Sequence, residues 1–382
     1  MSAQCFPCLA FPGVALLDGK ASKTPVGRFQ FTVLAGQLLT MERDSFMLRR
    51  FFATLAAVLF ALSCFAQNSP KERHFTFHYS FTIKNVDRGQ PLQVWIPLAH
   101  SDEFQEVKVL SQTGDLPWKR TQEKEYGNWM LHASVAKATK SEYQFAVDYD
   151  VVRREHIVLT NDSPVSGLRP EKASKVQLAR FLEPDQLVPT TGLPAQLAVE
   201  QTKGATTQLE KAHDIYEYVF KTMKYDKSGT GWGHGDTLWA CDSKRGNCTD
   251  FHSLFISMAR SQQIPSRFEI GFPLPKDKPS SEIPGYHCWT EFYINSIGWI
   301  PIDISEAWKH PELRDYYFGA HDVNRVQFTV GRDLRLNPPP AGAPLNYFVY
   351  PYVEVAGKEY SNISIAFSFR DVEAKTATGA SK

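Results

Sequence analysis

Residues 286–303 read YHCWTEFYINSIGWIPID, and few backbones accommodate them. His287 to Ile294 and Gly298 to Ile302 are rich in aromatic and β-branched residues, which favour extended chain. Asn295 to Ile297 is a tight loop between them, so the two runs form an antiparallel hairpin. Alternation puts His287, Trp289, Glu291 and Tyr293 on one face and Cys288, Thr290 and Phe292 on the other. A three-residue loop pairs Ile294 with Gly298. Asp303 then falls opposite Trp289, on the His287 face, a diagonal neighbour roughly 7 Å away by backbone. A two-residue loop would turn Asp303 to the opposite face.

A second constraint lies upstream, in RGNCTDFHSLF from Arg245 to Phe255. Asn247 is a strong N-cap, and Asp250 can reach back to the cap's own amide as in a capping box. Phe251, Leu254, Phe255, Met258 and Ala259 follow at helical spacing, so a helix starts at Cys248 and runs to about Gln262, before Pro265. Cys248 sits on the buried stripe at the N-terminal tip. Free amides and the positive end of the helix dipole surround its sulfur there, and a cysteine so placed falls below its usual pKa of about 8.5.

Helix tip and hairpin together supply Cys248, His287 and Asp303 in that chain order. This set suits nucleophilic catalysis: His287 deprotonates Cys248, and Asp303 holds the imidazole in the tautomer that faces sulfur. Each residue also has a plain structural reading. Cys248 can be a small apolar residue, His287 a half-buried packing histidine, and Asp303 the cap of the turn before Ser305.

The stretch GNCTDFHSLFISMARSQQIPSRFEIGF, followed by GYHCWTEFYINSIGWIPIDIS, resembles the transglutaminase-like superfamily, of papain-like architecture. The likeness rests on Cys248 at a helix start, Arg260 with Ile264-Pro265-Ser266-Arg267, His287 with Trp289, and Gly298-Trp299-Ile300-Pro301-Ile302-Asp303. It covers about Thr206 to Leu334. The resemblance implies an α+β fold with a Cys-bearing helix packed on an antiparallel sheet. It also implies attack of Cys248 on an amide carbonyl, giving a crosslinked or a hydrolysed product. Candidates for holding the oxyanion are Trp232, Trp239 and the Cys248 backbone amide. No cofactor and no metal are expected. A metal site built from Cys241, Cys248, His252, His287 and Cys288 lacks zinc-type spacing.

The rest of the chain frames this core. From His74 to Glu155, alternating runs such as Phe75–Ile83 and Glu142–Val151, separated by turns such as Asp87-Arg-Gly-Gln, read as an immunoglobulin-like β-sandwich over 70–155. A proline-rich linker with a short helix near Glu171–Leu182 is expected over 156–200. A catalytic domain with C-terminal strands follows over 201–371, then a tail over 372–382. Thr206–Lys224 reads as an amphipathic helix.

From Met47 the chain runs MLRRFFATLAAVLFALSCFAQ. Arg49 and Arg50 precede an apolar run too short to span a bilayer comfortably, and small residues close it. This is a signal-peptide pattern over 47–66, with cleavage after Ala66 and a periplasmic or extracellular destination. Acylation of Cys64 is a lesser alternative. Residues 1–46 read as a leader or an over-called gene start, with translation beginning at Met47 or Met41. Removal of 1–66 leaves Cys241, Cys248 and Cys288, an odd number, so one thiol stays free in a monomer even if Cys241 and Cys288 pair.

With 42 basic and 41 acidic residues the net charge is +1, which gives no electrostatic case for nucleic acid. A protein, peptide or peptidoglycan substrate is expected. The competing function is a non-catalytic binding protein of the same fold that recognises a surface polymer or peptide.

Overall fold

The computed structural model describes residues 71–165 and 173–373. The leader, the signal-peptide pattern, Cys64 and most of the tail lie outside them. No helix among the described residues is long and apolar enough to cross a membrane.

The first six strands are β1 (Glu72–Ile83), β2 (Leu92–Pro97), β3 (Gln105–Gly114), β4 (Trp118–Gln122), β5 (Trp129–Val135) and β6 (Tyr143–Arg154). Three short strands follow, β7 (His156–Ile157), β8 (Leu159–Thr160) and β9 (Ser163–Pro164). Helices α1 (Lys175–Arg180), α2 (Leu193–Gln201) and α3 (Gln208–Thr222) lead into β10 (Lys224–Tyr225), α4 (Thr237–Ser243) and β11 (Arg245–Gly246). Then come α5 (Cys248–Ser261), β12 (Ser266–Pro273), β13 (Ser280–Glu282), β14 (His287–Ile294), β15 (Gly298–Ile302) and α6 (Ile304–Lys309). The chain ends with β16 (Ala320–His321), β17 (Arg325–Val330), β18 (Tyr352–Val355), β19 (Lys358–Glu359) and β20 (Ile363–Asp371).

Two five-stranded sheets make the sandwich, in the orders β13-β20-β1-β6-β3 and β19-β18-β2-β5-β4. Strand β1 buries every second side chain, as its alternation requires: Phe75, Phe77, Tyr79, Phe81 and Ile83. These join Leu92, Val94 and Ile96 of the facing sheet in one apolar cluster. The closing strands differ from expectation. β20 pairs with β1 from Phe75↔Asp371 to Ile83↔Ile363, and β18 pairs with β2. The sandwich is therefore completed by β18 and β20, and not by strands within 70–155 alone, because these two supply hydrogen-bonded neighbours of β2 and β1. The described residues form one compact unit.

The third sheet, of order β15-β14-β12-β17, carries α5 against β14 and β12. Its Phe272 and Phe328 pack their rings against Phe77 and Tyr79 of the sandwich. One aromatic core thus supports both parts. The register of β14 with β15 runs from Ile294↔Gly298 to Thr290↔Ile302, as a three-residue loop requires, which brings Asp303 level with Trp289.

Helix α5 differs from a surface helix with one buried stripe: every residue from Cys248 to Arg260 is buried. The polar ones are compensated, as burial demands. Arg260 pairs with Asp185 at 2.7 Å and donates through Nε to the Ser266 carbonyl. Ser253 accepts from Arg332.

Candidate active site

Asn247 caps α5 as its sequence predicts. Its Oδ1 accepts from the Thr249 amide at 2.8 Å, and Asp250 Oδ2 accepts from the Asn247 amide at 2.9 Å. The Asp250 carboxylate also binds the glycine-rich loop: Gly233 N–H donates to Oδ2 at 2.7 Å and Gly235 N–H to Oδ1 at 2.9 Å. Gly246, with φ of +148°, lies so close to this carboxylate that a β-carbon would collide with it. A single buried acid thus fixes the helix start, its approach and the preceding loop. Burial pushes the Asp250 carboxyl above its ordinary range, against the lowering effect of these amide donors.

The three predicted residues meet at this tip. His287 Nε2 bonds Asp303 Oδ2 at 2.7 Å. Cys248, the first residue of α5, lies within electrostatic reach of the His287 imidazole and the Cys288 thiol. Cys248, His287 and Asp303 are exposed by only 2%, 4% and 0%, so their charges interact in low dielectric. Burial alone would push the Cys248 thiol up. Interactions with the neighbouring Cys288 and His287 side chains, the His287 charge among them, outweigh it and favour a thiol well below its ordinary value. Burial would likewise lower His287, but Asp303 and the Cys248 sulfur push it up to about 10. For Asp303 burial raises and His287 and Arg325 lower, with the net well below the carboxylate range. Both shifts favour the thiolate–imidazolium form of the pair.

Asp303 serves both roles left open by its sequence. Its Oδ1 caps α6, accepting from the Glu306 amide at 3.0 Å and from the Ser305 hydroxyl at 3.1 Å. Its Oδ2 takes His287 and, at 3.1 Å, Arg325 Nη1. The Arg325 guanidinium is stacked 4.8 Å from the Trp289 ring centroid. Nothing in the sequence marks Arg325, which arrives from the far strand of the sheet.

His252, one turn after Cys248, accepts from the Ile304 amide through Nε2 at 3.1 Å, which puts its proton on Nδ1, 3.7 Å from Cys288 Sγ. Burial pushes it down to about 4, so it is neutral at pH 7. Its four-residue spacing from Cys248 was the available clue. Tyr286 closes the tip by accepting from Asn247 Nδ2 at 2.9 Å and sharing a 2.8 Å bond with the Thr249 hydroxyl.

Both indole candidates have their own partners in the glycine-rich loop. Trp232 donates its N–H to the Gly229 carbonyl at 3.1 Å, and Trp239 packs its indole nitrogen edge over Gly231. The Cys248 amide is at the first helical position, where no intrahelical acceptor exists. Cys241, Cys248 and Cys288 are all free thiols. A cleft of about 200 Å³ reaches the site, lined by Tyr225, Lys227, Gly285, Tyr286, His287 and Lys309.

The chain is similar to several known proteins. Residues 195–304 match the family model of the transglutaminase-like superfamily, a span that holds all three residues. An uncharacterised protein of Haemophilus influenzae is 28% identical over 320 residues, covering 74% of this chain and 85% of its own. Among solved structures, a candidate cysteine protease from Cytophaga hutchinsonii matches with a TM-score of 0.52 at 16% identity, covering 80% of this chain and 93% of its own. The periplasmic domain of TgpA from Pseudomonas aeruginosa matches with a TM-score of 0.31 at 13% identity, over 64% of this chain and 91% of its own.

Proposed function

We propose, for a chain whose residues 195–304 belong to the transglutaminase-like superfamily, that it is a thiol-dependent enzyme acting on amides through an acyl-enzyme. The observation that carries this reading is the seat of Cys248: a helix tip within electrostatic reach of an imidazole whose Nε2 is held 2.7 Å from Asp303.

The Cys248 thiolate adds to the amide carbon, and the carbonyl π pair moves onto oxygen. The Cys248 N–H receives that oxyanion. Collapse of the tetrahedral adduct breaks the C–N bond while His287 gives its proton to the leaving nitrogen, leaving a thioester. Water or an amine then attacks, His287 takes a proton from it, and the thiolate leaves. Water yields a carboxylic acid and an amine yields a new amide, so the same residues serve hydrolysis and crosslinking. Export, as the 47–66 pattern suggests, makes an envelope or extracellular protein, peptide or peptidoglycan stem the substrate class.

Incubation of the purified protein with a glutamine-containing acyl-donor peptide, with and without a labelled primary amine, tests the reading. Ammonia release without label uptake identifies a hydrolase, and label uptake identifies an acyl transferase. If a panel of protein, peptide and peptidoglycan amides gives neither, and Cys248 alkylates like an ordinary thiol, the chain is a binding module.

A further inference from the structure

On the Glu291 face of β14 a second cluster of side chains converges. His156 and His321 are direct partners across the two-residue pair of β7 and β16, so their side chains leave the same face. Glu291, in the middle of β14, meets them: His156 Nδ1 lies 3.2 Å from Glu291 Oε1. One ligand-capable atom from each of the three lies within 4.8 Å of the others. All three residues are buried.

His321 carries the independent sign of a ligand. Its Nε2–H donates to the Ile302 carbonyl at 3.0 Å. Its proton is therefore spent, and Nδ1 presents a lone pair. That atom is fully buried and has no hydrogen-bond partner. A ligating histidine shows the same arrangement, one nitrogen anchored to a backbone carbonyl and the other facing the ion. The rings are held in place: Phe104 stacks on His156 with centroids 3.5 Å apart, and Trp289 meets His321 edge-on. Arg267 takes Glu291 Oε2, which leaves Oε1 for the ion. A cleft of about 210 Å³ reaches His156 and Glu291 from solvent, past Asp102 and Glu103.

We propose that His156, Glu291 and His321 bind a divalent ion of the zinc type, clamping β7 and β16 to β14. Two imidazoles and a carboxylate are a borderline donor set suited to Zn²⁺, with a fourth tetrahedral position for water. Bonds to nitrogen and oxygen of about 2.0–2.2 Å put neighbouring ligand atoms roughly 3.3 Å apart. His156 and Glu291 already have that spacing, and His321 has at most about 1.5 Å to close. The site lies on the same face of β14 as His287, four residues along, and is separate from the thiol.

The test uses full-length Cys248→Ala protein, so that the low-pKa thiol does not compete for metal. Dialysis against zinc followed by elemental analysis should find about one retained ion per chain, and zinc should raise the thermal midpoint. His321→Gln and His156→Gln on that background should each weaken retention about tenfold or more. Cobalt in place of zinc should give a nitrogen–oxygen spectrum with no thiolate charge-transfer band. This last reading needs no folded histidine variant. Absence of retained zinc, retention undiminished in both histidine variants, or a thiolate band would each overturn the proposal.

Discussion

At the residue scale, chemistry and structure compete for the same atoms, most clearly at Asp303. One carboxylate oxygen caps α6 and the other holds His287 and Arg325. Asp303→Asn keeps an oxygen for the cap but weakens the hold on the imidazole, so turnover should fall by roughly 10²–10⁴ while the fold survives. Cys248→Ala and His287→Ala should abolish turnover, with circular dichroism unchanged. The pH behaviour follows from the directions of shift. His287 keeps its proton up to about pH 10, and Cys248 loses its proton well below its ordinary value. Alkylation by iodoacetamide should therefore stay fast through neutral pH and decline only in acid, as the thiolate is protonated. In His287→Ala the rate should instead climb with pH as for a free thiol, which at about pH 7 is only a few per cent ionised. A wild-type profile like that of free cysteine would remove the ion pair. Arg325→Met leaves Asp303 with one cation fewer in a dry site, and should cost about 3 kcal/mol in denaturant unfolding.

At the element scale, the start of α5 is fixed by polar contacts while its length is buried in apolar packing. Asn247, Asp250 and the Gly233–Gly235 loop form one hydrogen-bonded unit. An N-cap alone contributes about 1 kcal/mol. Asp250→Ala would strand three backbone donors, each costing about 1–3 kcal/mol when left unsatisfied. Urea melts should show a loss of at least about 3 kcal/mol, together with slower alkylation of Cys248 as the tip loosens. The cap, the capping box and the 14-residue span of α5 were legible because they are local: neighbours in sequence are neighbours in space. The hairpin was legible for the same reason, since the loop length sets the register that brings Asp303 to His287. Arg325, Tyr286 and the acceptor bond of His252 were not, because each depends on where a distant strand or loop arrives.

At the scale of the whole molecule, the sandwich and the thiol-bearing sheet are one body. Phe272 and Phe328 pack into the sandwich, and the last strand closes its first sheet. Truncation before Ile363 removes β20, exposes the edge of β1 and discards buried Phe367 and Phe369. Each buried phenylalanine contributes about 1.5–3 kcal/mol, against a total stability of roughly 5–15 kcal/mol. The truncated protein should therefore be aggregated or only partly folded by size-exclusion chromatography. A monodisperse, cooperative product would show that the thiol-bearing core stands without the closing strand.

By itself the sequence determined the local frame: the capped helix with a cysteine at its tip, the hairpin with its loop, and the alternation that buries one face of β1. These follow from short-range dihedral preferences and from periodicity, which need no knowledge of partners. The tertiary structure alone decided which strands close the sandwich and which guanidinium backs Asp303. It also decided that two histidines and a glutamate, far apart in the chain, share one buried point. Those outcomes depend on long-range pairing, where many registers satisfy the same alternation and only the joint packing of a single core selects among them.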